Sequence, residues 1–379
     1  MIELAPYRKL EKAFLAGLYS PASSAWEIEQ SMDELGGLVR AAGARVVGSE
    51  VQKRSRPGAG HFFGQGKVSD LAAKAHAAEA DTLVVDQDLM PAQVRNLEAA
   101  MGIKVIDRTE VILDIFAARA RTREAKLQVE LAQYQYLLPR LTRMWVHLSR
   151  TGGGIGTRGP GETQLETDRR TVRGRIAALK GRLRSVERHR HLVRERRRDL
   201  FRVSLVGYTN AGKTTLMNGL TKSSLPVADQ PFMTLDPTTR RLHLGDGVNA
   251  LLTDTVGFVD RLPHHLVAAF HSTLEEVAQA DLLLVVVDAA TMDMERRLGV
   301  VTATLEEIGA AHVDRIVVLN KIDRLAEGAE ALVSLHGPGA AAVSALTREG
   351  LLHLVQLMRA RTSRSADAAK ASASVRATS

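Results

Sequence analysis

The segment at residues 201–215, FRVSLVGYTNAGKTT, limits what this chain can fold into more than any other stretch. Its apolar residues 203–206 predict a buried strand that ends at Gly207, and a helix is expected to begin near Lys213. Between them, Gly207 to Thr214 fits the pattern G-x-x-x-x-G-K-[ST], in which backbone N–H groups and a helix N-terminus surround a diphosphate. A glycine-rich turn that merely contains a lysine would need neither the strand nor the helix. The sequence therefore predicts a nucleotide-binding protein.

The polar residues of this phosphate loop have separate expected roles. Lys213 is predicted to lie on a surface loop and to reach the β- and γ-phosphates, and the Thr214 hydroxyl is predicted to ligate Mg²⁺. The residues expected to contact the nucleotide here are Gly207, Tyr208, Thr209, Asn210, Ala211, Gly212, Lys213, Thr214 and Thr215.

The motif Asp254-Thr255-Val256-Gly257 follows the apolar residues 250–252. Asp254 is expected to hold Mg²⁺ through water, and the Gly257 amide is expected to sense the γ-phosphate. Phe258 comes next, where Ras-like enzymes place a water-orienting glutamine. Because a phenylalanine cannot orient water by a hydrogen bond, intrinsic hydrolysis should be slow, with the catalytic group supplied by another segment or by a partner.

A second motif, Asn320-Lys321-Ile322-Asp323, also follows a predicted strand. The Asp323 carboxylate can accept hydrogen bonds from N1–H and the exocyclic amine of guanine, whereas adenine presents the wrong pattern. Ser344-Ala345-Leu346 is expected to close over the base edge. These motifs predict GTP rather than ATP.

A threonine between the phosphate loop and Asp254 should contact Mg²⁺ and the γ-phosphate. The candidates are Thr234, Thr238 and Thr239, of which Thr234 is favoured. The predicted catalytic residues are then Lys213, Thr234 and Gly257, and the predicted metal-binding residues are Thr214, Thr234 and Asp254.

The first part of the chain alternates between helical and strand patterns. Helices are predicted at residues 26–42, 64–79 and 91–101, and strands at 44–51, 81–86 and 103–106, whereas residues 1–20 give no clear signal. This alternation predicts a small parallel α/β domain over roughly residues 20–115. Gly64-Gln65-Gly66-Lys67 lacks the spacing of the phosphate loop, so we interpret it as the start of a helix rather than a second phosphate site.

Apolar residues at heptad spacing fill the middle of the chain. They are Leu127, Leu131, Tyr134, Leu138, Leu141 and Trp145 in one segment, and Val172, Ile176, Leu179, Leu183, Val186 and Val193 in the other. The pattern predicts two long helices packed as an antiparallel coiled-coil hairpin, with a kink near Pro139. The glycine-rich residues 151–161 between them fit either a flexible linker or a loop that orders against a partner, with Arg158 meeting phosphate.

The second predicted helix and the residues that follow it are strongly basic. Their cationic residues are Arg169, Arg170, Arg173, Arg175, Lys180, Arg182, Arg184, Arg188, Arg190, Arg194, Arg196, Arg197, Arg198 and Arg202. Only Glu187, Glu195 and Asp199 oppose them. Such a run can be a solvated helix face, but its one-sidedness and its arginine content favour contact with nucleic acid.

Composition sets the remaining bounds. The chain of 379 residues has a formal net charge of +8 and no cysteine, which excludes disulfides and thiolate metal sites. No apolar run approaches the length of a membrane span, so a cytoplasmic, monomeric protein is expected. We predict an α/β domain at 1–115, a helical hairpin at 116–200, a GTPase domain at 201–362 and a disordered tail at 363–379.

With these motifs the chain resembles the HflX family of translational GTPases, related to the Obg group. The similarity is most specific at GPGETQLETDRR, residues 159–170, and includes residues 234–239 and 254–258. It implies a GTPase that binds the large ribosomal subunit and its RNA through the N-terminal region, points the hairpin loop at the peptidyl-transferase centre, and splits stalled or stressed ribosomes. The competing hypothesis is a GTP-dependent RNA-binding module without ribosome specificity.

Overall fold

The computed structural model describes residues 10–141, 160–195, 200–228, 230–260, 271–325, 329–337 and 339–362. The chain divides into two compact units, one of residues 1–118 and 129–181, the other of residues 119–128 and 182–379. The predicted fold class, a parallel α/β domain, a helical region and a phosphate-loop domain, is confirmed. The four-segment boundaries stay a prediction. Residues 151–159, Trp145 and the tail from 363 lie outside the described residues.

The first unit is built on a parallel four-stranded sheet in the order β2-β1-β3-β4. Its strands are β1 (Lys12–Tyr19), β2 (Arg45–Lys53), β3 (Thr82–Val85) and β4 (Lys104–Asp107). The helices that follow them are α1 (Ala25–Ala41), α2 (Gln65–Ala77), α3 (Pro91–Met101) and α4 (Arg108–Arg119). Leu35, Leu71, Leu97 and Ile112, one from each helix, are fully buried, so all four helices contribute to the core.

The parallel α/β domain predicted over roughly residues 20–115 begins earlier in the structure, because strand β1 precedes residue 20. β1 pairs with both β2 and β3 and is therefore a central strand. Its sequence, KAFLAGLY, is buried at most positions and so lacks the alternation that marks a half-exposed strand. The interpretation of Gly64 to Lys67 as a helix start is confirmed, because α2 begins at Gln65 and Lys67 pairs with Glu50.

The helical region contains α5 (Arg123–Leu137) and α6 (Pro160–Glu195). The prediction that the first helix passes through Pro139 with only a kink is wrong, since α5 ends two residues before this proline, and the predicted continuation to Trp145 lies outside the described residues. Proline lacks the N–H that a helix interior needs and disfavours helical conformation in the preceding residue. The predicted loop to residue 161 is also too long, because α6 begins at Pro160, a position that suits proline. Arg175 of α6 donates to Glu130 of α5 at 2.6 and 2.9 Å.

The second unit carries a six-stranded sheet in the order β10-β9-β8-β5-β7-β6, with only the edge strand β6 antiparallel. Its strands are β5 (Phe201–Gly207), β6 (Thr238–Gly245), β7 (Val248–Asp254), β8 (Leu282–Asp288), β9 (Arg315–Asn320) and β10 (Ala341–Ala342). The helices are α7 (Lys213–Thr221), α8 (His271–Ala278), α9 (Met294–Glu307), α10 (Ala329–His336) and α11 (residues 351–362).

The strand order explains where the motifs meet. From β5 the chain first builds β6 and β7 on one side and then β8 to β10 on the other. Ligands of such sheets bind at the carboxyl ends of the strands beside this reversal. The phosphate loop follows β5, Asp254 ends β7 and Asn320 ends β9, so the fold brings all three motifs to one edge. Within the described ranges, no helix is long and apolar enough to cross a bilayer.

A buried ion cluster lies at the carboxyl end of β3 in the first unit. Arg108 donates to Asp86 at 2.6 Å and to Glu34 at 2.5 Å, and Tyr19 and Ser31 also donate to Asp86. Burial alone would lower the pKa of Arg108, but the charges of Glu34 and Asp86 outweigh it, and its pKa is raised above the ordinary value. The guanidinium therefore compensates carboxylates that the fold has removed from water.

We expect Arg108→Met to destabilise the first unit by about 3–5 kcal/mol, because it leaves Asp86 buried without its cation. The measurement is urea unfolding followed by a probe in the first unit. Arg45→Met, at an exposed position of β2, is the matched control and should change stability by less than about 0.5 kcal/mol. Equal unfolding midpoints for the two variants would contradict the interpretation.

Candidate nucleotide site

Two glycines of the phosphate loop have positive φ angles and lie too close to neighbouring residues for a side chain. Gly207 has φ +152°, and a Cβ at this position would lie 2.1 Å from the Val286 carbonyl oxygen of β8. Gly212 has φ +91°, and its Cβ would lie 2.3 Å from the Asn320 amide nitrogen. Only glycine fits either place, so the spacing of the motif reflects close packing of the loop against β8 and the Asn320 motif.

Lys213 is buried within this loop, with 6% of its surface exposed. The prediction that it lies on a surface loop outside the core is wrong in this respect. Its Nζ donates to the carbonyl oxygens of Gly207 at 3.0 Å and Tyr208 at 2.9 Å. Burial lowers the pKa of Lys213 to about 8, against the opposing effect of the Asp254 carboxylate. The loop thus folds back around its own cation and holds it with two backbone carbonyl oxygens.

Three oxygen-bearing side chains meet beside the loop, and we call them the oxygen cluster: Thr214, Thr234 and Asp254. The Thr214 hydroxyl donates to Asp254 Oδ2 at 2.7 Å and lies 2.8 Å from the Thr234 hydroxyl, which is 3.1 Å from the same carboxylate oxygen. Asp254 Oδ1 is buried and has no hydrogen-bond partner in the described part of the chain. Burial raises the pKa of Asp254, against the effects of Lys213 and the two hydroxyls.

Only one of the three candidate threonines joins this cluster. Thr238 and Thr239 belong to β6, where Thr238 pairs with Asp254 and Thr239 with Thr253 in the antiparallel ladder. The Thr239 hydroxyl lies 3.0 Å from that of Thr253. Thr234 therefore is the candidate whose side chain the structure places at the predicted metal position.

The segment after Asp254 is tied to the phosphate loop. The Thr255 hydroxyl donates to the Leu205 carbonyl at 2.6 Å, Phe258 N–H donates to Gly207 at 3.1 Å, and Thr209 N–H donates to Phe258 at 2.7 Å. Val256 and Phe258 are buried, and Phe258 is only 1% exposed. Gly257 lies against Thr209 and Lys213. Phe258 is thus buried at the position where Ras-like enzymes place a water-orienting glutamine.

The motif for the base is assembled from two loops. Asn320 donates to the Ala211 carbonyl at 2.8 Å and accepts from Ala345 N–H at 3.0 Å, which fixes it between the phosphate loop and the 344–346 segment. The Ser344 hydroxyl donates to Asp323 at 2.5 Å, leaving carboxylate capacity for a further donor. Lys321 pairs with Asp288 at 2.7 Å, and Leu346 is 76% exposed.

A cavity joins the loop to the segment before Thr234. The cavity is lined by Thr209, Asn210, Gly212, Thr215 and Thr255 together with Lys213, Thr214 and Gly257. It is also lined by Val227, Ala228, Gln230, Phe232 and Met233, which sequence reasoning did not identify. Phe232 has φ +56° and is buried, a conformation that no sequence pattern marks.

Sequence reasoning also missed the contacts around Tyr208. The Arg297 guanidinium lies 5.1 Å from the centroid of the Tyr208 ring. The Tyr208 hydroxyl accepts a hydrogen bond from Asp260 N–H at 2.8 Å. Asp260 in turn pairs with Arg296 at 3.1 Å. These contacts connect α9 to the segment after Gly257.

The known proteins that this chain resembles are GTPases. A family described as 50S ribosome-binding GTPase matches residues 202–321, and families described as GTP-binding GTPase N-terminal and Middle Region match residues 29–117 and 119–197. The GTPase HflX of Caldanaerobacter subterraneus subsp. tengcongensis is 50% identical over 86% of this chain and 75% of that protein. The GTPase HflX of Escherichia coli is 48% identical over 83% of this chain and 74% of that protein.

One solved structure, SsGBP in complex with GDP, is 25% identical with a TM-score of 0.50 and covers 94% of this chain and 99% of that one. These HflX relatives are similar to this chain over more than four fifths of its length. The chain belongs to the HflX family of GTPases, and it is a GTP-binding GTPase.

Proposed function

We propose that this GTPase binds GTP with Mg²⁺ at the cavity beside the phosphate loop and works on the large ribosomal subunit. The observation that carries the nucleotide part is the oxygen cluster, which lies directly beside the buried Lys213. Its donors are hydroxyl and carboxylate oxygens, the type that Mg²⁺ prefers. Asp254 Oδ1, which has no hydrogen-bond partner among the described residues, fits a metal-bound water, and Thr214 and Thr234 fit direct ligands. When bound, Mg²⁺ neutralises charge that develops on the phosphoryl oxygens.

The other residues of the site take their roles from their positions. Lys213 supplies a positive charge to the β- and γ-phosphates, and the Gly257 amide donates to the γ-phosphate. Residues 207–215 surround the diphosphate, with Thr255 and Val256 behind them. The buried Phe258 excludes water but cannot orient it, so intrinsic hydrolysis is slow and a group from the partner or another segment completes catalysis.

The base is selected by Asp323. Ser344 holds one of its oxygens, Asn320 and Ala345 fix the two loops, and Lys321 and Leu346 flank the base. The carboxylate is an acceptor for the two guanine donors, and an adenine would leave it unpaired.

We expect Asp323→Asn to weaken GTP binding by about tenfold or more and to favour xanthosine triphosphate, because the amide presents a donor that suits a keto oxygen. Competition with a fluorescent GDP analogue measures both affinities. Asp314→Asn, at an exposed aspartate before β9, is the control and should bind GTP as the parent does. Undiminished preference for GTP in Asp323→Asn would show that Asp323 does not read the base.

The partner follows from charge and from the family. The matching family is described as ribosome-binding, and α6 exposes arginines along its length, Arg170, Arg173, Arg182 and Arg188 among them. Arginine-rich helices bind the phosphates of RNA, and the large subunit presents a dense array of them. Docking there, with hydrolysis coupled to the splitting or rescue of stalled ribosomes, is the proposed activity of a cytoplasmic monomer.

The same basic helix also suits a GTP-dependent RNA-binding module without ribosome specificity. Two measurements separate the alternatives: co-sedimentation with large subunits in a non-hydrolysable GTP analogue, and stimulation of hydrolysis by intact subunits compared with free ribosomal RNA. Stimulation by both to the same degree would favour the RNA module. Splitting is then measured as the appearance of free subunits when GTP is added to intact ribosomes.

Reversing three exposed arginines of α6, Arg170, Arg173 and Arg188, to glutamate should weaken subunit binding and flatten its salt dependence. Each lost phosphate contact removes about 0.7–0.9 from the slope of log affinity against log salt. The matched control reverses the exposed Lys222, Arg315 and Arg348, which changes the net charge equally. Co-sedimentation at several salt concentrations is the measurement, and intrinsic GTP hydrolysis should stay unchanged. If both triple variants bind alike at every concentration, α6 is a solvated face.

A further inference from the structure

Asp236 lies two residues after Thr234 and outside the oxygen cluster, yet it is the most highly bonded side chain of the switch segment, which we define as residues 230–237. Its Oδ2 accepts from the backbone N–H groups of Arg121 at 2.9 Å and Thr122 at 3.2 Å. Its Oδ1 accepts from the Thr122 hydroxyl. All of these residues belong to the second unit.

Thr122 is the residue that caps the start of α5. Its hydroxyl accepts from Ala125 N–H and its carbonyl from Lys126 N–H, both at 3.1 Å. The Asp236 carboxylate therefore lies at a helix N-terminus, where unpaired N–H groups and the helix dipole favour negative charge. A second contact, from Arg119 to the Gln230 side chain at 2.7 Å, ties the other end of the switch segment to the same stretch of chain.

Thr234 lies between these two attachments. Two residues of chain span at most about 7 Å, so a bonded Asp236 confines Thr234 to the neighbourhood of the oxygen cluster. Leu235 and Phe232 are each 2% exposed and hold the intervening backbone. Pro237 restricts Asp236 to extended conformations, which sets the direction of its carboxylate in advance.

We propose that Asp236 is a positioning residue for GTP binding and hydrolysis. By bonding the start of α5 it holds Thr234 at the metal position before the nucleotide arrives, so that less order has to be created on binding. Because coupling between two sites is reciprocal, a nucleotide that fixes Thr234 also fixes the first turn of α5. This helix begins in the second unit and ends in the first, at Leu137. The inference rests on the proposed role of Thr234 as a ligand of Mg²⁺.

The first test compares Asp236→Asn with the matched control Asp246→Asn. Asp246 is also an aspartate of the second unit that accepts from an arginine, Arg359, but its side chain is 78% exposed and far along β6 from the site. Asparagine at 236 keeps the volume and one oxygen that can accept from the N–H groups of Arg121 and Thr122, but it loses the negative charge and the acceptor for the Thr122 hydroxyl. Affinities for a GTP analogue and for GDP are measured with Mg²⁺ on the full chain.

We expect Asp236→Asn to weaken binding of the GTP analogue by about tenfold while GDP affinity changes less than twofold, because hydrogen bonds to a charged acceptor are stronger than those to a neutral one. Asp246→Asn should leave both affinities as in the parent. Thr122→Val, which removes the hydroxyl but keeps the shape, should weaken GTP-analogue binding in the same direction. Combined with Asp236→Asn it should add less than the sum of the single effects, since both remove one interaction.

The second test is amide hydrogen exchange of residues 123–128, the first turns of α5. In the parent, the GTP analogue should slow their exchange relative to GDP, and Asp236→Asn should abolish that difference. If Asp236→Asn lowers only the unfolding midpoint and keeps both the GTP-to-GDP affinity ratio and the exchange difference, Asp236 is a structural cap and the proposal is overturned. An equal exchange rate in both nucleotides for the parent also overturns it.

Thr234→Val distinguishes failure of this inference from failure of its premise. If this variant keeps the parent's preference for the GTP analogue, the proposed role of Thr234 is wrong and the inference falls with it. If Thr234→Val loses that preference while Asp236→Asn keeps it, Thr234 has its proposed role and only the positioning by Asp236 is overturned.

Discussion

The candidate nucleotide site depends on the contact between the Thr214 hydroxyl and the Asp254 carboxylate, which joins the helix after β5 to the end of β7. The close packing of Gly207 against β8 and of Gly212 against Asn320 sets where α7, the helix that carries Thr214, begins. Thr234 then completes the cluster from a segment that has no strand or helix of its own. One small group of oxygens thereby connects the sheet, the phosphate loop and the switch segment.

Both sheets carry buried aspartates at the carboxyl ends of their strands, but their environments differ. In the first unit, Asp107 accepts from Tyr136, Arg140 and two backbone N–H groups, so both of its oxygens are used. In the second unit, Asp254 keeps one buried oxygen without a partner in the described residues. A saturated carboxylate stabilises the fold, whereas an unsaturated one beside a buried lysine is suited to a bound ligand. A buried aspartate at the carboxyl end of a strand thus stabilises the fold in the first unit, and in the second unit we propose that it contributes to binding.

Sequence patterns predicted what depends on local spacing and missed what depends on packing. The phosphate loop, Asp254 and Asn320 were found because each follows an apolar strand at a fixed offset. Strand β1 was missed because a strand buried on both faces has no alternation, and α5 was extended too far because the heptad pattern was given more weight than Pro139. The burial of Lys213 follows from carbonyls that only the folded loop brings together. The contacts of Asp236 could not be predicted from its motif, since its partners lie more than 100 positions earlier in the chain.

We propose that Thr214, Thr234 and Asp254 form the metal site of the GTP-bound protein. A crystal structure of the full chain with Mg²⁺ and a non-hydrolysable GTP analogue tests this most directly. We expect Mg²⁺ at about 2.0–2.1 Å from the hydroxyl oxygens of Thr214 and Thr234, with Asp254 within hydrogen-bond distance of a metal-bound water. A magnesium ion bound without Thr234, or with Thr238 or Thr239 in its place, would show that these three residues do not form the metal site.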